Sequence, residues 1–298
     1  MSVCLIVNLS FYDEKKIEFF KKYYLNKFDD IYFTCPWPED GLSLKNKIVP
    51  VFYSYNQWYG NAADVIEKID ILKFDYIVAV SEEGIFSSWI NGTYFSELLH
   101  DKNESVVIPY AKPLFGVDGW HWYHTRYSIY PFIYSADEWK KYLMPYNDML
   151  IRMIKYFGYY DIHLTDAFFN LQPDDIMTDD MRNFKYILGG QERIPYPLAY
   201  GVTDFIAFDA SCAKIVCEQF RYWAAVGVFY EIALPTIVIS LFDKANIYEM
   251  EGFGYPIKTI PNEALSSVYD FNLKQILERG KSNSFIRFDV NKITAGIM

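Results

Sequence analysis

The sequence predicts an α/β protein built around a mostly parallel, Rossmann-like sheet that is flanked by helices. Short apolar runs alternate with amphipathic segments through residues 1–110, at spacings typical of βαβ units. The first run, residues 3–9, is almost continuously apolar, as expected of a strand buried on both faces. The chain has 298 residues, of which 52% are hydrophobic and 22% charged, and this is enough for a sizeable core.

The first half of the chain, residues 1–110, has the plan of a mononucleotide-binding unit. Strands are expected at residues 3–9, 31–34, 48–54 and 76–80. Helices are expected at residues 13–26 and 63–72. The stretches PWPE (36–39) and NQWYGN (56–61) are predicted to be turns, because Pro, Asn and Gly favour turns.

The second half, residues 111–279, is richer in aromatic residues. It follows a strand expected at residues 106–110 and opens with the loop AKPLFGVDGWHWYHTRYSIYPFIYS (111–135). A strand is expected at 200–208, and helices at 137–157, 209–223 and 229–241, with Asp209 as an N-cap. Residues 280–298 form a predicted tail with one short strand. Because no repeat or linker interrupts the chain, we expect one domain spanning residues 1–298.

Composition indicates which class of partner this protein binds and in which cellular compartment it is expected. The net charge of −10 argues against nucleic acid, because phosphate backbones select basic surfaces. The four cysteines form no CxxC pair, which is typical of reduced thiols in a cytoplasmic protein. The N-terminus lacks the charged region of a signal peptide. The longest apolar stretch, residues 227–242, contains Glu231 and Pro235, so no transmembrane segment is expected.

Aromatic residues are unusually frequent, at 27 Tyr, 24 Phe and 7 Trp. Codon bias in an A/T-rich genome is one explanation. The other is functional, since aromatic rings stack against sugars and bases.

The stretch IVAVSEEGIFS (77–87) is an apolar run that leads directly into Glu82 and Glu83. Carboxylates at the carboxyl end of a strand can hold Mg²⁺ or Mn²⁺, which in turn binds a diphosphate. The alternative is a solvated acidic turn.

Three stretches carry a family resemblance: FDYIVAVSEEGIFS (74–87), YGVTDFIAFDASCAKIVC (200–217) and VFYEIALPT (228–236). Their order resembles the GT-A fold of nucleotide-sugar-dependent glycosyltransferases. The resemblance implies a nucleotide-binding N-terminal half, an acidic DxD or DD motif after the fourth strand, and a C-terminal half with the acceptor site and a catalytic acid. Here Glu82 and Glu83 stand in place of the aspartates. We therefore expect Glu82 beside the donor diphosphate and Glu83 on Mn²⁺ or Mg²⁺.

Polar and aromatic residues at the ends of the first and third strands are candidates for donor binding. They are Asn8, Ser10, Tyr53, Asn56, Trp58 and Asn61. Amides can bind base or ribose edges, although Asn is also common in ordinary turns. Neither GxGxxG nor GxxxxGK[ST] occurs, which argues against a dinucleotide dehydrogenase and a P-loop enzyme.

The aromatic loop contains the candidate acceptor platform, with Trp120, His121, Trp122 and Arg126. Arg126 could bind a phosphate or carboxylate. The alternative is a loop packed by its own rings. His121 and His124 have no third ligand at a recognisable spacing, so zinc is not expected.

Asp204 and Glu231 are the candidate catalytic residues, because each lies in an apolar stretch and a buried carboxylate is costly unless it is paired. Glu231 is favoured as the general base. For Asp204, a base, a donor-sugar contact and a structural hydrogen bond stay open.

The expected function is transfer of a sugar from a nucleotide-sugar donor to a hydroxyl of a glycan or glycolipid acceptor, in glycan biosynthesis. The alternatives are a non-catalytic nucleotide-sugar-binding module that lacks the aspartates, and a Mg²⁺-dependent nucleotidyltransferase.

Overall fold

The computed structural model describes residues 1–36, 47–101, 105–114, 132, 137–162, 194–201, 203–243, 246–247, 258–259 and 285–287. The strands are β1 (Val3–Asn8), β2 (Asp30–Pro36), β3 (Ile48–Val51), β4 (Tyr76–Ser81), β5 (Gly84–Phe86), β6 (Val106–Ile108), β7 (Lys112–Pro113), β8 (Ala199–Tyr200), β9 (Phe205–Asp209), β10 (Asn246–Ile247), β11 (Lys258–Thr259) and β12 (Phe285–Arg287). The helices are α1 (Glu14–Tyr23), α2 (Trp58–Lys68), α3 (Gly92–Asp101), α4 (Asp137–Lys140), α5 (Tyr146–Phe157), α6 (Ala213–Ala225) and α7 (Tyr230–Leu241).

The central sheet of the described residues has seven strands in the order β10-β6-β9-β4-β1-β2-β3. Four neighbouring pairs are parallel, and β9 runs antiparallel to both β4 and β6. The predicted α/β class is confirmed, and the order β4-β1-β2-β3 is compatible with a Rossmann-like fold. The sheet is mixed, because β9 enters from the opposite direction.

The sheet is covered on both faces, as the apolar character of β1 predicts. Cys4 and Ile6 face a core shared with α2, α5, α6 and α7, whereas Val3, Leu5 and Val7 face a second core with α1 and α3. Because successive side chains of a strand point to opposite faces, one short apolar run contributes to both cores.

Two small sheets lie beside the central one. In the first, β12 pairs antiparallel with β5, and Phe285 stands opposite Phe86. The short strand predicted in residues 280–298 is thereby confirmed. In the second, β7 pairs with β8. None of the helices in the described parts of the chain has the length and apolar character needed to cross a membrane.

Several predicted boundaries are wrong. NQWYGN forms the end of a 3₁₀ helix and the first turn of α2, which begins five residues before the predicted start at 63, because Trp58 and Tyr59 anchor that turn in the core. The helix predicted at 137–157 is two helices, since Pro145 lacks an N–H and restricts the residue before it. The strand predicted at 200–208 is divided between β8 and β9, which lie in different sheets.

Helices α2 and α6 approach closely at Gly60. A Cβ atom at this position would lie 2.5 Å from the Cβ of Ala224 and 2.9 Å from Cδ2 of Tyr53. Nearby, Tyr59 packs edge-on against Phe220, with ring centroids 5.6 Å apart. The absence of a side chain at Gly60 therefore sets the spacing of the two helices.

We expect Gly60→Ala to lower the free energy of unfolding by about 1–3 kcal/mol, the usual cost of overpacking. Alanine has the better helix propensity, by about 1 kcal/mol, so propensity alone predicts the opposite sign. The contact with Ala224 decides the outcome because Cβ atoms move only with their backbone. Urea denaturation measures the effect, and a variant more stable than the wild type would contradict the close approach.

Candidate active site

The carboxyl ends of β1 and β4 lie where the strand order of the sheet reverses. The chain adds β2 and β3 on one side of β1 and then crosses to place β4 on the other side, and ligands of open α/β sheets bind at such a reversal. Asn8 and Ser81 end the two strands, are partners in the register, and are fully buried. Nδ2 of Asn8 donates to the carbonyl of Val80 at 3.0 Å, while its Oδ1 has no hydrogen-bond partner among the described residues.

Asp204 reaches this edge through β9. Phe205 stands opposite Val80 in the antiparallel register, and the N–H of Ser81 donates to the carbonyl of Asp204 at 2.8 Å. The Asp204 side chain is fully buried beside the Ser81 hydroxyl. Asp204 therefore lies just before its strand instead of inside it, at the carboxyl end of β4.

Helix α7 brings Glu231 to the same edge. Pro235 has no N–H to donate to the carbonyl four residues earlier, which is that of Glu231. The N–H of Gly201 donates to this carbonyl at 2.8 Å. The hydroxyl of Thr203 also donates to the Tyr230 carbonyl at 3.3 Å. Gly201 and Thr203 are thereby attached to the first turn of α7.

Glycine is required at position 201. A Cβ atom there would lie 2.0 Å from the backbone oxygen of Tyr110, a distance that no side chain can occupy. The segment that carries Asp204 consequently lies between the chain at Tyr110 on one side and α7 on the other.

Both candidate catalytic carboxyls resist ionisation. Burial, and then the charge of Glu231, raise the pKa of Asp204 from 3.8 to about 8, while the hydrogen bond from Ser81 acts in the opposite direction. Burial raises the pKa of Glu231 from 4.5 to about 8. Because the charge of Glu231 acts on Asp204, the two titrations are coupled, and both carboxyls favour the protonated form near neutral pH.

Aromatic side chains adjoin the carboxyl pair. Tyr230 is buried, and its burial followed by the charges of Asp204 and Glu231 raises its pKa well above 10.0. Its ring lies 5.9 Å from that of Trp58, centroid to centroid. The indole Nε1 of Trp58 is buried without a hydrogen-bond partner in the described part of the chain.

The two glutamates after β4 have different surroundings. Glu82 is buried, and its Oε2 lies 2.9 Å from Nζ of Lys16. Its Oε1 accepts from the backbone N–H of Ser10 at 3.1 Å and also from the Ser10 hydroxyl. Glu83 is only partly buried, and its N–H donates to the Ser81 hydroxyl oxygen at 3.4 Å.

The predicted donor-binding residues are placed unequally. Ser10 and Glu82 lie together, next to Asn8 at the end of β1. The side chain of Asn61 makes two hydrogen bonds to the backbone of Tyr53. Its Oδ1 accepts from the Tyr53 N–H at 3.0 Å, and its Nδ2 donates to the Tyr53 carbonyl at 3.1 Å, so Asn61 fixes the loop after β3. Trp58 is fully buried, and Asn56 is exposed on the 3₁₀ turn before α2.

The predicted acceptor residues Trp120, His121, Trp122 and Arg126 lie outside the described residues. Within the described residues, no group of three or more His, Cys, Asp or Glu side chains could hold a metal ion. Both carboxylate oxygens of Glu82 already accept hydrogen bonds, from Lys16 and Ser10, so a divalent cation at Glu82 would have to compete with the Lys16 ammonium group.

The chain matches no protein-family model, and the curated proteins include no significant match to it.

Sequence reasoning did not identify Ser81, Thr203 or Lys16 as residues of this edge. Lys16 could have been flagged, because it shares a helical stripe with Phe20 and Tyr24 at spacings of four residues, and that stripe is buried. Ser81 is the first polar residue after an apolar strand. The contacts of Thr203 with α7 had no signal in the local sequence.

The carboxyl pair should make stability depend on pH. The folded chain retains protons on Asp204 and Glu231 that the unfolded chain releases, so stability falls as the pH rises between about 4 and about 8. Asp204→Asn removes one of these protons. The variant should therefore gain stability relative to the wild type as the pH rises through this interval.

Urea denaturation at several pH values between about 5 and about 8 measures this difference. Ser81→Ala should have the opposite effect to Asp204→Asn. The Ser81 hydroxyl favours the ionised form of Asp204, so its removal should make the fall of stability with pH steeper than in the wild type. Parallel stability curves for all three proteins would contradict raised pKa values in this buried pair.

Proposed function

We propose that this protein is a glycosyltransferase that moves a sugar from a nucleotide-sugar donor to a hydroxyl of a glycan or glycolipid. The observation that supports the proposal most is the pair Asp204–Glu231, two buried carboxyls with pKa values near 8 at the ligand edge of an α/β sheet. Perturbed carboxyls of this kind are typical of general acid–base sites.

The chemistry of the pair suits attack by a hydroxyl group. An acceptor oxygen becomes a better nucleophile when a carboxylate takes its proton, and a base is most effective when its pKa lies near the working pH. Glu231 takes the proton as the acceptor oxygen bonds to the anomeric carbon. The nucleoside diphosphate then leaves with the electrons of the broken bond. Burial brings the pKa of Glu231 to about 8, within reach of neutrality, and Asp204 holds the second position of the pair.

The donor is assigned to the crevice at the ends of β1 and β4. Asn8 offers a buried carbonyl oxygen there, and Glu83 is the more accessible of the two glutamates. Trp58 and Asn61 support this edge from within the fold. A bound Mn²⁺ or Mg²⁺ would neutralise the diphosphate, with Glu83 as the described candidate ligand.

A non-catalytic nucleotide-sugar-binding module is the second candidate, and the Lys16–Glu82 ion pair favours it. This pair removes one acid from the position where the family resemblance implies a metal-binding aspartate. It also disfavours the nucleotidyltransferase, which needs acids that are free to bind Mg²⁺.

Thermal unfolding with a panel of nucleoside diphosphates and nucleotide sugars tests the proposal. A nucleoside diphosphate that raises Tm supports both a transferase and a binding module. Hydrolysis of the sugar donor, or its transfer to an acceptor, separates the two. If no nucleoside diphosphate or nucleotide sugar binds at millimolar concentration, both the transferase and the binding module are excluded.

We expect Glu231→Gln to retain donor binding and to lower turnover by about 100-fold or more, the usual contribution of a general base. Glutamine has nearly the same shape and cannot accept the proton. Glu218→Gln is the matched control, because Glu218 is exposed on α6. Normal turnover in the Glu231 variant would exclude it as the base and transfer the assignment to Asp204.

A further inference from the structure

Lys16 occupies an unfavourable position for an isolated lysine. It is the third residue of α1, beside the positive end of the helix dipole, and only 1% of it is exposed. Lysine is almost never buried to this degree unless it is paired. Its partner is Glu82, at 2.9 Å, which is supplied by the end of β4.

The ion pair is enclosed on its remaining sides. Nζ of Lys16 lies 4.0 Å from the centre of the Phe11 ring, a cation–π distance. Ser10 donates its N–H and its hydroxyl to the other oxygen of Glu82. Phe11 and Ser10 both belong to the loop between β1 and α1, so one short loop covers both charges.

We infer that the ammonium group of Lys16 is the resident cation of the acidic turn, and that a nucleoside diphosphate binds at this edge without a divalent cation on Glu82. This inference deepens the proposed function and rests on it for the identity of the ligand. The chemistry assigned to Lys16 is charge neutralisation, because its burial keeps the ammonium group away from an incoming phosphate.

A divalent cation at Glu82 would have to displace the ammonium group. Lys16 would then be left buried, without its partner and next to two further positive charges. Both consequences are unfavourable, since breaking a buried pair leaves an uncompensated charge in a medium of low dielectric constant. The turn is already neutral at Glu82, so a diphosphate meets less repulsion there than two free glutamates would cause.

Thermal unfolding with MnCl₂ alone tests the cation assignment without any nucleotide. The proteins are the wild type, Lys16→Met, and the double variant Lys16→Met/Glu82→Gln, in which both charges are removed together. We expect about 1 mM Mn²⁺ to shift the Tm of the wild type and of the double variant equally or not at all. Lys16→Met alone should gain a Mn²⁺-dependent rise of about 2–4 °C, because its Glu82 is left without a cation.

A rise in the wild type that the double variant lacks would overturn the inference, since Mn²⁺ would then be using Glu82 in the native protein. A rise shared by both proteins comes from another site and is consistent with Lys16 as the partner of Glu82. If Lys16→Met does not fold, the comparison of the wild type with the double variant still shows whether Mn²⁺ binds Glu82 in the native protein. Neither of these two proteins contains a buried charge without its partner.

Titration with UDP and other nucleoside diphosphates, in EDTA and then in Mn²⁺, completes the experiment. We expect the ratio of the Kd values in EDTA and in Mn²⁺ to agree between the wild type and the double variant within about threefold. A Mn²⁺ dependence that the double variant loses would overturn the inference. Absence of binding under either condition would count against the proposed function. The Mn²⁺ results on the unliganded proteins would still decide the role of Lys16.

Discussion

The antiparallel hydrogen bonds between β4 and β9 bring Asp204 to the end of a strand that is distant in the chain. Ser81 is the centre of this contact, because its N–H donates to the backbone carbonyl of Asp204 and its hydroxyl lies beside the Asp204 carboxyl. The same hydroxyl oxygen accepts from the N–H of Glu83. One buried serine therefore links the acidic turn after β4 to the carboxyl pair, and the geometry of the edge depends on it.

Helix α7 is attached to the rest of this edge through the carbonyl of Glu231, which in an uninterrupted helix would accept from the N–H four residues later. Pro235 leaves the Glu231 carbonyl without an intrahelical donor, and Gly201 supplies the donor from outside. Thr236, the next residue, exchanges hydrogen bonds with the N–H and carbonyl of Ala199, at 3.0 and 3.2 Å. The proline therefore serves to join α7 to β8 and the segment before β9.

Three carboxyl groups, Glu82, Asp204 and Glu231, are buried near this edge, and the fold compensates them in two different ways. Glu82 is paired with Lys16 and accepts two hydrogen bonds from Ser10. Asp204 and Glu231 lie in surroundings that favour the protonated form. The contacts of Glu82 hold its side chain in place. Asp204 and Glu231, in contrast, can exchange protons near neutral pH. This difference separates a structural acid from candidate catalytic acids within one edge of the sheet.

Much of the fold could be predicted from local sequence, since strands such as residues 3–9 and the apolar helix around Pro235 have strong hydrophobic patterns. The sequence also identified Asp204 and Glu231 as acids in apolar surroundings, and that local property needs no knowledge of distant contacts. Only the tertiary structure could decide that β9 runs antiparallel, because alternation of apolar residues carries no information on strand direction. It alone could pair Lys16 with Glu82 and place Asp204 against Ser81, since these contacts join residues far apart in the chain. The sequence by itself therefore determined that Asp204 and Glu231 lie in apolar surroundings, and the tertiary structure decided that Glu82 is also buried and receives the cation of Lys16.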